Sequence, residues 1–245
     1  MANVTVITSG TNGIGRAIAL KILSESDDED RIIINYGHDD AAVKIMLEDI
    51  DEKDKKKLTF FKADMSEYEG MESFSSEIRK LTDHVDWLVL NTGVSTYMPF
   101  DEYTYDVWEK IMRTNVNIPA FFTREMKPLM AENGNIVFMG SHAGQEPYSS
   151  SLIYSTTKAA VMFMSKSLVK YFEDRSVSVN AVAPGFIQTR WQKNRSEESY
   201  ERINKKIAKH RFGEPSEVAE LVYSILTNDY LNGSIYNVHG GYNYF

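Results

Sequence analysis

The 245-residue chain contains no cysteine. Disulfides, thiolate metal sites and a cysteine nucleophile are all excluded by that one absence. No stretch reaches the roughly 18 consecutive apolar residues of a membrane-spanning helix. Basic residues are in deficit: 27 Lys and Arg stand against 35 Asp and Glu, a net charge of −8, which argues against a nucleic-acid surface. The nearest thing to a basic patch is DEKDKKK at 51–57. Its mixed signs and helical pattern read as a solvated helix end. The histidines, at 38, 84, 142, 210 and 239, show no paired ligand spacing, so no metal site is expected. There is no linker, repeat or low-complexity segment. The first residues enter a strand pattern without a basic-then-apolar leader, and a cytoplasmic location is the default expectation.

Short β-branched apolar runs alternate with longer helical patterns. The strand runs are VTVITS (4–9), RIIINY (31–36), LTFFKAD (58–64), VDWLVLN (85–91), GNIVFMGS (134–141), VSVNAVAPG (177–185) and SIYNVHGG (234–241). Helical patterns fall at 13–23, near 39–50, near 67–82, over roughly 103–131 with interruptions at Pro119 and Pro128, at about 151–173, and near 215–227. Near-continuous apolar strands between helices mean a parallel sheet covered on both faces. Right-handed crossovers then give one α/β domain over 1–245, doubly wound around a seven-stranded parallel sheet. The charged stretch 190–212 reads as helical and as a mobile lid over the substrate. The acidic run DDED at 27–30 reads as solvation of a loop away from the ligand crevice.

The first strand runs straight into TSGTNGIG (8–15). Glycines there let the backbone approach a pyrophosphate, and the following helix offers free N–H groups and the positive end of its dipole. An NAD site would place an acid at the end of the second strand, to bind the ribose 2′-hydroxyl. Tyr36 and Gly37 occupy that place, and Asp39 and Asp40 come later. The missing acid favours NADP. His38 is either a donor to the 2′-phosphate or an exposed loop histidine, and no arginine stands nearby in sequence.

Tyr154 and Lys158 sit one helical turn apart in YSTTK (154–158). A free tyrosine has a pKa near 10, and an ammonium on the same helix face stabilises its phenolate. By itself this spacing is common on surface helices. Ser141, however, closes the fifth strand at the edge where ligands bind, and Asn115 lies mid-helix in RTNVN, where a buried amide holds a water or a backbone carbonyl.

In order and spacing, TSGTNGIG, Asp64 in KAD, LNTG (90–93), Asn115, Ser141, YSTTK and PGFIQT (184–189) resemble the motifs of the short-chain dehydrogenases/reductases, over essentially the whole chain. The resemblance implies a single Rossmann domain that interconverts a carbonyl and a secondary alcohol with NADP(H), or else NAD(H). It implies that Tyr154 is the general acid in reduction and the base in oxidation. Lys158 would lower the Tyr154 pKa and bind the nicotinamide ribose, Ser141 would hold the substrate oxygen, and Asn115 would support a water relaying protons to Lys158. Cofactor contacts are implied for Ser9, Gly10, Asn12, Gly13, Ile14, Gly15, Tyr36, His38, Asp64, Met65, Asn91, Gly93, Pro184, Gly185, Ile187 and Thr189, besides Tyr154 and Lys158. Among these Asp64 would meet the adenine, and Ile187 and Thr189 the nicotinamide amide. Within the family the chain looks closest to 3-oxoacyl-[acyl-carrier-protein] reductases, whose basic pair for docking the acidic carrier protein falls on Lys127 and Lys170. Dehydrogenases of sugars, polyols or steroids share every one of these motifs, and a nucleotide-binding sensor without turnover is a third reading. A homotetramer is implied, with the helices near 103–131 and 151–173 and the C-terminal GGYNYF facing other subunits. The chain departs from the family in having Ser9 for a loop glycine, Asn12 for a basic residue common in NADP-dependent members, and His239 for an aspartate of structural role. His142, Tyr148, Phe186 and Trp191 are candidates for the substrate pocket wall.

Overall fold

The computed structural model describes residues 2–147 and 151–242. The apolar runs become parallel strands: β1 (Val4–Ile7), β2 (Arg31–Tyr36), β3 (Leu58–Lys62), β4 (Val85–Leu90), β5 (Met130–Met139), β6 (Ser178–Pro184) and β7 (Ile235–Val238). They form one seven-stranded sheet in the order β3-β2-β1-β4-β5-β6-β7. Between them lie α1 (Gly13–Ser24), α2 (Asp40–Glu48), the single turn α3 (Glu52–Lys55), α4 (Tyr68–Leu81), α5 (Tyr105–Met112), α6 (Ile118–Met126), α7 (Leu152–Leu168), α8 (Glu197–Asn204) and α9 (Pro215–Leu226).

Side chains alternate across each strand, so the sheet has two apolar faces. One face buries Val4, Val6, Leu88 and Phe138 against Phe74 and Ile78 of α4, Phe122 and Met126 of α6, and Val161 and Met162 of α7. The other buries Ile7, Ile34, Val89 and Val137 against Ile18 and Ile22 of α1, Met46 of α2, and Val218, Val222 and Ile225 of α9. The chain leaves β1 toward β2 and leaves β4 toward β5, on opposite sides. The C-terminal ends of β1 and β4 therefore flank the crevice where such sheets bind ligands.

Three segments differ from the sequence reading. The long helix over 103–131 is broken. Its middle is a π turn at Arg113–Asn117, and α6 stops at Met126. Pro119 has no N–H to give the carbonyl of Asn115, four residues back, so the coil widens there. Met130 already pairs with Val85, after which a bulge with Asn133 at φ 59° separates it from the regular ladder beginning at Asn135. The charged stretch 190–212 is helical only in a short 3-10 turn, Arg190–Gln192, and in α8. It is anchored by its own small core of Ile203, Ile207 and Phe212 with Tyr242. The DDED run does more than solvate: Asp30 accepts the N–H of Asn3 at 2.7 Å and of Asp27 at 2.9 Å, and so holds the entry to β1. No helix among the described residues is long and apolar enough to cross a membrane.

Candidate active site

The loop after β1 turns so sharply that Ser9 lies at φ 52° and Gly13 at φ 51°, the left-handed region that penalises any side chain. Ser9 is held there by two bonds. Its N–H reaches Asn35 Oδ1 at 3.2 Å, and its hydroxyl meets the Thr92 hydroxyl at 2.7 Å. Gly15 lets α1 start against the loop: a Cβ there would lie 2.4 Å from the Ser9 carbonyl oxygen and 2.5 Å from Asn91 Nδ2. Gly10 does the same against the sheet, where a Cβ would lie 2.7 Å from Ile34. Asn91 Nδ2 donates to the Ser9 carbonyl at 3.0 Å and ties the end of β4 to the loop. The first turn of α1 has no acidic residue and no side-chain cap. Its N–H groups and dipole face the crevice, as a dinucleotide phosphate requires.

Above this loop opens a cleft of about 300 Å³. Of the expected site residues, Ser9, Asn12, Gly13, Ile14, Asn91, Gly93, Ser141, Tyr154, Lys158, Pro184, Gly185, Ile187 and Thr189 line it. Its wall also includes Met139, Gly140, Arg190, Trp191 and Gln192. Of these only Trp191 was a sequence candidate. The others flank known motifs but carry no pattern of their own.

The remaining expected residues stand back from the wall. Gly10 and Gly15 shape the loop from beneath. Met65 is buried in the core beside α4. The Tyr36 hydroxyl donates to Asp40 Oδ1 at 3.1 Å, and His38 Nε2 lies 3.3 Å from Asp64 Oδ2. Asn115 is wholly engaged. Its Oδ1 accepts the Val94 N–H at 2.8 Å, and its Nδ2 donates to the Val94 carbonyl at 2.8 Å and to Thr157 Oγ1 at 3.0 Å. The structure thus uses the amide on backbone and a neighbouring hydroxyl. It fixes the strand-to-helix loop after β4 to α7, the helix bearing Tyr154 and Lys158.

At the cleft floor the Ser141 hydroxyl is hydrogen-bonded to the Tyr154 phenol and accepts the Ala143 N–H at 3.2 Å. Buried Lys158 donates from Nζ to the Met139 carbonyl at 2.7 Å and lies 5.7 Å from the Tyr154 ring centre. A Cβ at Gly93 would lie 3.2 Å from that ammonium, so this glycine leaves the lysine open to the cleft. Desolvation pushes the Tyr154 phenol up to about 12, against a lowering by its bond to Ser141; Tyr97 adds a smaller upward push. Desolvation also brings the Lys158 ammonium down to about 8. The expectation that the lysine lowers the tyrosine is therefore not met by the protein's own groups. Burial is the largest cause of the Tyr154 shift, and the Lys158 ammonium, itself poorly solvated, is turned toward the Met139 carbonyl.

Trp191 sets its ring edge-on to Tyr154, with centres 5.7 Å apart. Phe186 instead packs with Phe212 and Tyr242. His142 is buried and stacks on His239 at 4.2 Å. His239 Nδ1 accepts the N–H groups of Gly241 and Tyr242, a turn-holding role. Tyr148 and the tail beyond Tyr242 lie outside the described residues. Lys127 and Lys170 lie where α6 and α7 end, at the edge from which β5 and β6 start. That edge is opposite the cleft, so a carrier docked on them would face away from this chain's own site.

The sequence–structure match extends to known proteins. The model of the short chain dehydrogenase family matches residues 3–199. A 3-oxoacyl-[acyl-carrier-protein] reductase of Aquifex aeolicus is 33% identical over 97% of this chain and 96% of its own. An acetoacetyl-CoA reductase of Shinella zoogloeoides is 28% identical over 98% of each, and glucose 1-dehydrogenase 2 of Bacillus subtilis is 28% identical over 96% of this chain and 93% of its own. In fold, a blue fluorescent protein from a metagenomic library, solved with NADPH, superposes with a TM-score of 0.88 at 24% identity, covering 98% of this chain and 97% of its own. A match over most of the chain, with glycine loop, Ser141, Tyr154 and Lys158 meeting in one cleft, makes this chain a member of the short-chain dehydrogenase/reductase family of oxidoreductases.

Proposed function

We propose that the protein reduces the ketone of a 3-oxoacyl thioester to a secondary alcohol, and runs the reverse oxidation, with NADP(H) preferred over NAD(H). The observation that carries the chemistry is the meeting of Ser141, Tyr154 and Lys158 on the floor of the glycine-loop cleft. The loop fits a dinucleotide: Gly13, at φ 51°, lines the cleft without a side chain, and the α1 N-terminus carries no acid to repel phosphate. Bound reduced nicotinamide supplies the hydride. The Ser141 and Tyr154 hydroxyls donate to the substrate oxygen, where charge develops. A phenol raised to about 12 keeps its proton through the neutral range, the state a general acid needs before it protonates that oxygen. Lys158 stands on the same helix face and stabilises the phenolate left behind.

The thioester class is supported by the Aquifex and Shinella relatives, both named for acyl-thioester reduction. The Bacillus glucose dehydrogenase favours a second reading, a sugar substrate. The NADP preference is supported by Tyr36, which is no acid, at the end of β2.

The test is NADPH and NADH oxidation with a short 3-oxoacyl thioester, with glucose and the oxidised cofactors as the comparison. Turnover of the thioester with NADPH, lost by at least about 1,000-fold in Tyr154→Phe while NADPH binding persists, supports the reading. Turnover confined to glucose overturns the thioester class. NADPH binding without turnover on any carbonyl or alcohol leaves the sensor.

A further inference from the structure

Two cations line the cleft, Lys158 and Arg190. Lys158 belongs to the catalytic end. Arg190 stands on the lip, at the start of the 3-10 turn after β6, and its guanidinium meets Asp39 Oδ2 at 2.5 Å. Asp39 lies 151 residues away in sequence, in the connection between β2 and α2. The same carboxylate oxygen accepts from the Asn12 side chain of the glycine loop at 3.3 Å. Its other oxygen caps α2 by accepting the Ala42 N–H at 3.0 Å. The carboxylate is therefore fixed at the loop, while the arginine reaches it from across the cleft.

In a dinucleotide-binding βαβ unit, an acid about 20 residues past the glycine loop meets the ribose 2′-hydroxyl, and a nearby arginine accommodates a 2′-phosphate. Asp39 is 24 residues past Gly15 (39 − 15) and touches the loop. It stands at the start of α2, three residues beyond Tyr36, which ends the strand. The other basic side chains at this edge are engaged elsewhere: Lys62 pairs with Asp40 at 2.6 Å, His38 Nε2 lies 3.3 Å from Asp64 Oδ2, and neither Lys62 nor His38 lines the cleft. Acid and arginine thus compete for one spot and at present satisfy each other.

We infer that Asp39 and Arg190 form a clasp over the adenosine end of the cleft that sets the choice between 2′-phosphorylated and unphosphorylated nicotinamide dinucleotides. This rests on the cofactor reading above. The pair is exposed on both sides, so opening it costs little. A 2′-phosphate takes the guanidinium from Asp39 in a charge-assisted, two-pronged bond. A 2′-hydroxyl donates to Asp39 instead. The carboxylate opposes the phosphate and welcomes the hydroxyl, and the arginine does the reverse, so removing each must move the preference in opposite directions.

The experiment is titration of the full-length wild type, Arg190→Gln and Asp39→Asn with NADPH and with NADH, read as dissociation constants by calorimetry. Loss of the arginine is expected to weaken NADPH by about tenfold or more and NADH by less than about threefold. Asp39→Asn, which keeps the oxygen that caps α2, is expected to raise the NADPH preference by about threefold or more. Equal weakening of both cofactors in Arg190→Gln would mean that Arg190 serves the shared pyrophosphate, and it overturns the clasp. Binding of both cofactors with unchanged ratios in both variants also overturns the clasp and leaves the cofactor reading standing. A wild type that binds neither dinucleotide removes the cofactor reading and the clasp with it.

Discussion

Tyr154 and Lys158 illustrate how a catalytic pair is held against its own preference for water. The shift of Lys158 from 10.5 to about 8 is on the order of 3 kcal/mol of stability forgone at neutral pH. The sign follows from proton counting. Between these two values the unfolded chain holds the lysine proton and the folded chain releases it, so stability from this group rises with pH there. Lys158→Met removes that dependence. Urea unfolding at pH 7 and pH 9.5 is expected to show wild type gaining about 2 kcal/mol on the variant between the two, while the variant is inactive at both. Equal pH slopes would show that the ammonium is solvated. At Ser9 two effects oppose each other: a left-handed backbone costs a side chain about 1–2 kcal/mol, and the hydroxyl bond to Thr92 returns about 1 kcal/mol. Ser9→Ala keeps the strain and loses the bond, so it is expected to destabilise by about 1 kcal/mol. Ser9→Gly loses both and should be the more stable of the two in the same urea titration.

Among the elements, the glycine loop has the least tolerance. A methyl at Gly15 meets the Ser9 backbone oxygen and the Asn91 amide, and that amide is itself tied to the same oxygen by a hydrogen bond. Gly15→Ala is expected to lower stability by about 1–3 kcal/mol and to weaken NADPH binding, because relief requires moving α1 away from the loop. Unchanged melting and binding would mean that the loop shifts freely. The π turn at Arg113–Asn117 is a second such element. It seats Asn115 between the Val94 backbone and Thr157 of α7. The residue was legible in RTNVN; its partners were not, since Val94 and Thr157 reach it only after β4, the π turn and α7 are packed together. Arg190 is similar: it follows a readable motif directly, but the carboxylate it finds is 151 residues upstream.

For the whole molecule, the outer face of α5, α6 and α7 carries Tyr105, Phe121, Leu152 and Phe163, of which Phe163 is 72% exposed. Such a face on a single chain favours burial against another, and a homotetramer is the assembly we expect. Sedimentation should show a species of four chains, and Phe163→Glu should shift it to smaller ones without loss of the monomer fold. A monomeric wild type would remove the expectation and leave these residues as surface.

The sequence by itself determined the parallel sheet, because only strands buried on both faces can be apolar throughout. It also located the glycine loop, Ser141, Tyr154 and Lys158, because close phosphate approach and proton transfer each demand particular residue types at particular strand ends and helix turns. Tertiary structure alone decided the quantities that depend on neighbours distant along the chain. Burial sets the Tyr154 and Lys158 protonation in the opposite sense to the pair taken alone. Packing commits Asn115 to backbone, and the closing of the sheet sets Arg190 against Asp39. Local pattern records which chemistry a residue offers; the field and the partners it meets exist only once distant segments share one cleft.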